Sequence, residues 1–371
     1  MEVERIGAEQ RTPGRGPAGG DATRGSAGGR HDRAPARAPR GRDRPVAALD
    51  LGTNNCRLLV ARPAETGFTV IDAFSRIVRL GEGVGAEGRL SAAAMDRTLA
   101  ALRVCAGKIR RRGVVASRAV ATEACRRAGN FEDFRARVRA ETGLRLEVIT
   151  AAEEARLALT GCAPLLDPGV DYALVFDIGG GSTEVMWMET GGCDRPPAAL
   201  DSVSLPVGVM SLAERHGGDR IAEEVYESIV EETVAQLGGF ERRHAVRRHI
   251  AEGRVQMIGS SGTVTTLAGV LRDLPRYDRS VIDGSYLDFC AARDISRRLR
   301  AMDYAARAAH PCIGRQRADL VVAGCAILEA ICAVWPVGRL RIADRGVREG
   351  ILFDLITAPA RPRGGPPSAG V

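Results

Sequence analysis

From Val46 onward the apolar positions fall into two kinds of run that alternate along the chain. Short, nearly continuous apolar stretches of strand length include Val46 to Leu51, Tyr172 to Ile178, Val255 to Ile258 and Leu340 to Ala343. Phe68 to Leu80, Val114 to Ala124, Leu144 to Thr150 and Ala198 to Pro206 also read as strands. Between them the spacing turns helical, from Ala92 to about Arg111, Asn130 to Thr142 and Ala151 to Leu159. It does so again over Val209 to His244 with a break near Gly217, from Val264, over Ile295 to Met302, Ala318 to Val334 and Val347 to Ile356. Ser91 and Asn130 stand where helix N-caps are expected. Strands alternating with helices in both halves predict an α/β protein.

One grammar occurs twice in this pattern. Val46 to Val60 runs strand, Asp50, then Gly52-Thr53-Asn54-Asn55, then strand, with Arg57 in the returning arm. Val175 to Met186 runs strand, Asp177, then Gly179-Gly180-Gly181-Ser182-Thr183, then Glu184 and strand. Two such hairpins about 127 residues apart predict two similar domains facing a shared ligand. Successive glycines bare their backbone N–H groups, which suits phosphate oxygens, and an acid beside them can hold a cation. A third glycine-hydroxyl loop, Gly259-Ser260-Ser261-Gly262-Thr263, also follows a strand. Residues 83–88 match GxGxxG, but no strand-turn-helix unit carries them, so they are read as a loop without a dinucleotide.

Composition narrows the chemistry. The chain has 371 residues, 45% of them hydrophobic but only 4% aromatic, so its cores are expected to be built from Ala, Val, Leu and Ile. The formal charge is +7, and more than half of that excess lies in the Arg-rich residues 1–44, which are expected to be a disordered tail with no specific nucleic-acid partner. Lys108 is the single lysine, which excludes a P-loop and a Schiff-base mechanism. The nine cysteines show no Cys-x-x-Cys spacing and read as buried thiols, and His244 and His249 read as a solvated helix face. With no membrane-length apolar run and no signal sequence, a cytoplasmic protein is expected.

Taken with Val78 to Gly83, Ala121 to Asn130, Ile149 to Arg156, Ser204 to Gly208 and Ala343 to Leu352, the three loops resemble the exopolyphosphatase and guanosine-pentaphosphate phosphatase family of the actin-like ATPase superfamily. The resemblance covers 46 to about 357. It implies an α/β fold of two actin-like (ribonuclease H-like) domains with a cleft between them. They would span 45–167 and 168–346, with a C-terminal helix at 347–358 returning to the first domain and a disordered tail at 359–371. It also implies hydrolysis of a terminal phosphoanhydride, of polyphosphate or pppGpp, with a divalent cation such as Mg²⁺, and a homodimer.

Carried residue by residue, Glu154 falls on the family's general base, Asp177 on its metal-linked acid and Glu184 on its second catalytic carboxylate. The phosphate contacts would come from Gly52, Thr53, Asn54, Asn55, Arg57, Arg126, Gly179, Gly180, Gly181, Ser182, Thr183, Gly262 and Thr263, and the cation from Asp50 and Asp177. The chain ends soon after Glu349, without the helical extension of longer members, so short polyphosphate or pppGpp is expected over long polymer. Two readings compete: an ATP-dependent kinase on the same fold, and a non-catalytic sensor of an alarmone or polyphosphate.

Overall fold

The structure is a computed structural model that describes residues 44–192, 195 and 197–358. Except for Arg44, the two tails noted above lie outside the described residues, as does Cys193. The described chain builds two sheets. In the first, β1 (Val46–Leu51), β2 (Asn55–Pro63), β3 (Phe68–Ile77), β4 (Ala116–Ala121) and β5 (Leu146–Val148) lie in the order β3-β2-β1-β4-β5. In the second, β6 (Tyr172–Ile178), β7 (Thr183–Glu189), β8 (Ala198–Leu205), β9 (Val255–Ser261), β10 (Tyr286–Asp288) and β11 (Arg339–Ala343) lie in the order β10-β11-β9-β6-β7-β8.

The two sheets repeat one plan. Each begins with an antiparallel meander, β1-β2-β3 or β6-β7-β8, and continues through parallel pairing of its first strand with β4 or β9. The central strands β1 and β6 are buried almost throughout, as strands covered on both faces must be. In matching register, Asp50 pairs with Arg57 and Asp177 pairs with Glu184, so the two hairpins differ in the sign of one side chain.

Each sheet has an apolar cluster of its own, and a third joins them. This third cluster takes Ala48 and Leu59 from the first sheet, Val175 and Ile258 from the second, and Leu157 and Ile351 from two helices, Ala151–Cys162 and Val347–Thr357. Those helices cross closely enough that backbone touches backbone. A Cβ at Gly161 would lie 2.0 Å from the Gly346 carbonyl oxygen, and one at Gly350 would lie 2.0 Å from that of Leu157. Gly350→Ala is therefore expected to destabilise the protein by about 3 kcal/mol or more, at or beyond the upper end of ordinary overpacking, because no side chain can move aside. A denaturant titration that found less than about 1 kcal/mol would show that the crossing can relax.

Several local expectations are corrected. The strand read over Val114 to Ala124 stops at Ala121, the last residue to pair with β1, and a short helix, Glu123–Arg127, follows. Asn130 stands at the N-cap of the helix Phe131–Thr142, but its side chain makes no capping bond and instead grips Leu90, accepting from the N–H at 2.8 Å and donating to the carbonyl at 3.0 Å. His249 packs its ring on Tyr172, 4.6 Å between centroids, and His244 lies 2.7 Å from Asp201 Oδ2, so neither belongs to a solvated face. Ser91 does cap its helix, accepting from Ala94 N–H at 3.2 Å. Of the described cysteines, Cys290 is exposed. No helix among the described residues is long and apolar enough to cross a membrane.

Candidate active site

Residues from both sheets meet where the hairpin turns face each other. The glycine turn of the second hairpin is held by its carbonyls: Val209 N–H donates to Gly179 O at 3.0 Å and Met210 N–H to Gly180 O at 2.8 Å. Gly208 must be a glycine for this contact, since a Cβ there would come 2.4 Å from Gly180 O. Among the described residues the Gly180 and Gly181 N–H groups have no acceptor, which leaves them free for a ligand. Thr53 of the opposite turn lies against them; a Cβ on Gly181 would be 3.0 Å from Thr53 Oγ1. A crevice between the turns is lined by Thr53, Gly81, Glu123, Gly181, Met210 and Glu214, among others.

Glu154 reaches this place from the first turn of the helix Ala151–Cys162, whose N-cap Thr150 accepts from Glu153 N–H at 3.1 Å. Neighbouring acids on a helix point different ways, and here they divide. Glu153 turns outward to Arg118 and Arg156, whereas Glu154 turns inward to Arg126, whose Nη1 donates to Oε2 at 2.7 Å. The same Nη1 donates to Ile149 O at 2.9 Å, and Nε and Nη2 both donate to Glu123 Oε2, at 3.2 and 3.0 Å. Glu184 accepts from the hydroxyls of Ser182 at 2.6 Å and Ser204 at 2.9 Å.

Four partly or fully buried carboxylates thus lie within reach of one another's charge, and all hold their protons more tightly than usual. Burial, and next the charge of Glu184, push Glu154 up to about 8 against the pull of Arg126. Burial and then Glu154 push Asp177 up to about 7. Glu184 is pushed up to about 7, burial outweighing its two serine hydrogen bonds. Asp50 is raised by burial, partly offset by Arg57 and Arg348.

The remaining expected residues divide. Gly52, Thr53, Asn54, Asn55 and Arg57 form the first turn and the start of β2, where Gly52 N–H closes on Asn55 O at 2.9 Å. The Asn54 Oδ1 acceptor is buried without a donor. Ser182 is committed to Glu184, and Thr183 donates to Val207 O at 2.6 Å. In the third loop, Ser261 Oγ caps the helix Gly262–Leu271 by accepting from Thr263 and Val264 N–H, and the Thr263 side chain abuts Gly324. Gly262 alone of that pair has open space beside it.

Two partly buried arginines were missed. Arg348, the second residue of the last helix, feels both Arg57 and Asp50, and Arg317 feels Arg57; burial holds each below the ordinary guanidinium range. Arg348 had a signal in its glycine-rich segment, but Arg317 sits in Gln316-Arg317-Ala318 with none.

Two lobes of matching topology, each offering an acid and a glycine turn to a common cleft, define an actin-like (ribonuclease H-like) α/β protein. The model of the Ppx/GppA phosphatase family matches residues 59–358, and the chain belongs to that family. It is 30% identical over 325 residues to exopolyphosphatase 2 of Mycobacterium tuberculosis, covering 84% of this chain and 98% of that protein. Among solved structures it is similar to an exopolyphosphatase-like protein, with 29% identity, a TM-score of 0.77, and 84% and 97% of the two chains covered. It is also similar to the Aquifex aeolicus member of the Ppx/GppA family, with 28% identity, a TM-score of 0.67 and the same coverage.

Proposed function

We propose that this phosphatase cleaves the terminal phosphoanhydride of inorganic polyphosphate, with Glu154 as the general base for an attacking water. The observation that carries this reading is Glu154 itself, a partly buried carboxylate of raised proton affinity, fixed by Arg126 and near enough to Glu184 and Asp50 to feel their charge. A base poised near the working pH is best matched to accepting the proton of water. The charge of Glu184 adds to that basicity, and its two serine contacts keep it in place. The N–H groups of Gly180 and Gly181 bind phosphoryl oxygens, and Arg57 and Arg348 supply positive charge on the Asp50 side.

The residues fit a divalent cation. Asp50 and Asp177 offer hard oxygen donors from equivalent strand ends, and burial raises the proton affinity of both carboxyls, which a cation would offset. Among the described residues no three Asp, Glu, His or Cys side chains converge on one point, so the two aspartates would hold the ion largely through water. The unpaired Asn54 Oδ1 is an acceptor suited to such a water. When bound, Mg²⁺ would neutralise the developing charge on the phosphoryl oxygens.

The test is orthophosphate release in Mg²⁺ from short polyphosphate, long polyphosphate, pppGpp and ATP, side by side, with and without a sugar or acetate acceptor. Release from polyphosphate without an acceptor supports the proposal. Transfer from ATP to an acceptor would make the chain a kinase, and tight binding with no release would make it a sensor.

A further inference from the structure

Arg126 is expected to contact phosphate, yet its guanidinium is already occupied. Nη1 spends its two hydrogens on Ile149 O and Glu154 Oε2, which leaves the edge formed by Nε and Nη2. Both donors of that edge converge on one oxygen, Glu123 Oε2, at 3.2 and 3.0 Å. A guanidinium fork is best matched by two oxygens taking one N–H each, so this contact satisfies the edge poorly. A phosphoryl group offers the missing second oxygen.

Glu123 also has somewhere else to go. It and Arg126 are three residues apart on the helix Glu123–Arg127, and Arg127 is four away, the spacing at which an acid followed by an arginine attracts. Arg127 is exposed, lines the same crevice as Glu123, and makes no ion pair among the described residues. The stem of Glu123 crosses the glycine turn, since a Cβ on Gly181 would lie 3.2 Å from Glu123 Cγ. Its stem thus lies beside the glycine turn while its head holds the Arg126 edge.

We propose that Glu123 is an internal competitor for the phosphate edge of Arg126, occupying it in the free enzyme and moving toward Arg127 when substrate arrives. Glu123 would then set substrate affinity without taking part in the chemistry. This rests on the reading of Arg126 as a phosphate contact.

The experiment compares Glu123→Gln, Glu123→Asp and Arg126→Lys with wild type. It measures KM and kcat on short polyphosphate, inorganic phosphate binding by calorimetry, and thermal melts to confirm folding. Glu123→Asp keeps the charge but is too short to reach the fork. Both Glu123 variants are expected to lower KM and the phosphate Kd roughly fivefold, the scale of one partly exposed ion pair, with kcat within about twofold. If only Glu123→Gln tightens binding, the effect is charge at a distance and the competitor is disproved. A collapse of kcat with unchanged KM would make Glu123 a brace for Arg126 and would equally overturn it. Arg126→Lys separates the underlying reading: raised KM and phosphate Kd support Arg126 as a contact, so a null result in Glu123→Asp then sinks the competitor alone. Unchanged values would sink both. Phosphate binding reports on all three variants even if polyphosphate is not hydrolysed.

Discussion

Replacing Glu154 with glutamine is expected to lower kcat on polyphosphate by about 10² to 10⁴, the usual contribution of a positioned general base, while KM changes little. Glutamine has nearly the shape of the acid and can still accept from Arg126, so the contact at 2.7 Å becomes a hydrogen bond from the charged guanidinium to a neutral amide and the helix start is untouched. What is lost is the group able to take a proton. The pH dependence supplies a second reading of the same residue. Because Glu154 is pushed up to about 8, the wild-type rate is expected to rise with pH through neutrality, far above the usual carboxylate range, and that limb should be missing from the residual activity of the variant. The sign for stability is opposite. A folded-state affinity raised above the unfolded one gives stability that is complete below about 4.5 and is lost as pH rises through about 8. The variant, with no proton to lose, is expected to melt no lower than wild type at pH 8 and above.

Asp177→Asn is the second large effect. Asp177 lies in ladder register with Glu184 on one side and Ser260 on the other, so its backbone is fixed and only the charge is removed. Cation affinity is expected to fall about 10- to 100-fold, as for groups that hold a metal through its water shell, and kcat at fixed Mg²⁺ should fall with it. Mn²⁺ binding followed by electron paramagnetic resonance measures the first effect independently of turnover. Unchanged Mn²⁺ affinity would remove Asp177 from the cation site. The protein should not lose stability, because a carboxyl that burial and the charge of Glu154 push up to about 7 gains little from being ionised near neutral pH.

What could be read from the chain was whatever repeats locally. The two hairpins announced themselves because strand, acid, glycine turn and strand are contiguous, and their register then follows from the turn. The helix Glu123–Arg127 was hidden because five residues are too few to show a helical period, so β4 ran on in the reading where it stops in the fold. Glu154 could be placed on a helix, but nothing local distinguished its inward turn from the outward turn of Glu153; that is decided by Arg126 and Arg118, 28 and 35 residues away. Arg317 was invisible for the same reason at longer range, since its neighbour Arg57 lies far back in the chain, whereas Arg348 stood in a recognisable glycine-rich segment and only its nearness to Asp50 and Arg57 gives it a place at the site. Arg126 illustrates the limit from the other direction. Its residue type suggested a phosphate fork, and the two acids that already hold it could be found only in space.

The most direct test of the central claim is a time course of short polyphosphate in Mg²⁺ with wild type and Glu154→Gln at pH 8. The expected result is that wild type releases orthophosphate as each chain shortens by one unit, while the folded variant binds the same substrate and releases orthophosphate at least about a hundredfold more slowly. No orthophosphate from wild type, or a variant within a few fold of it, would contradict the account.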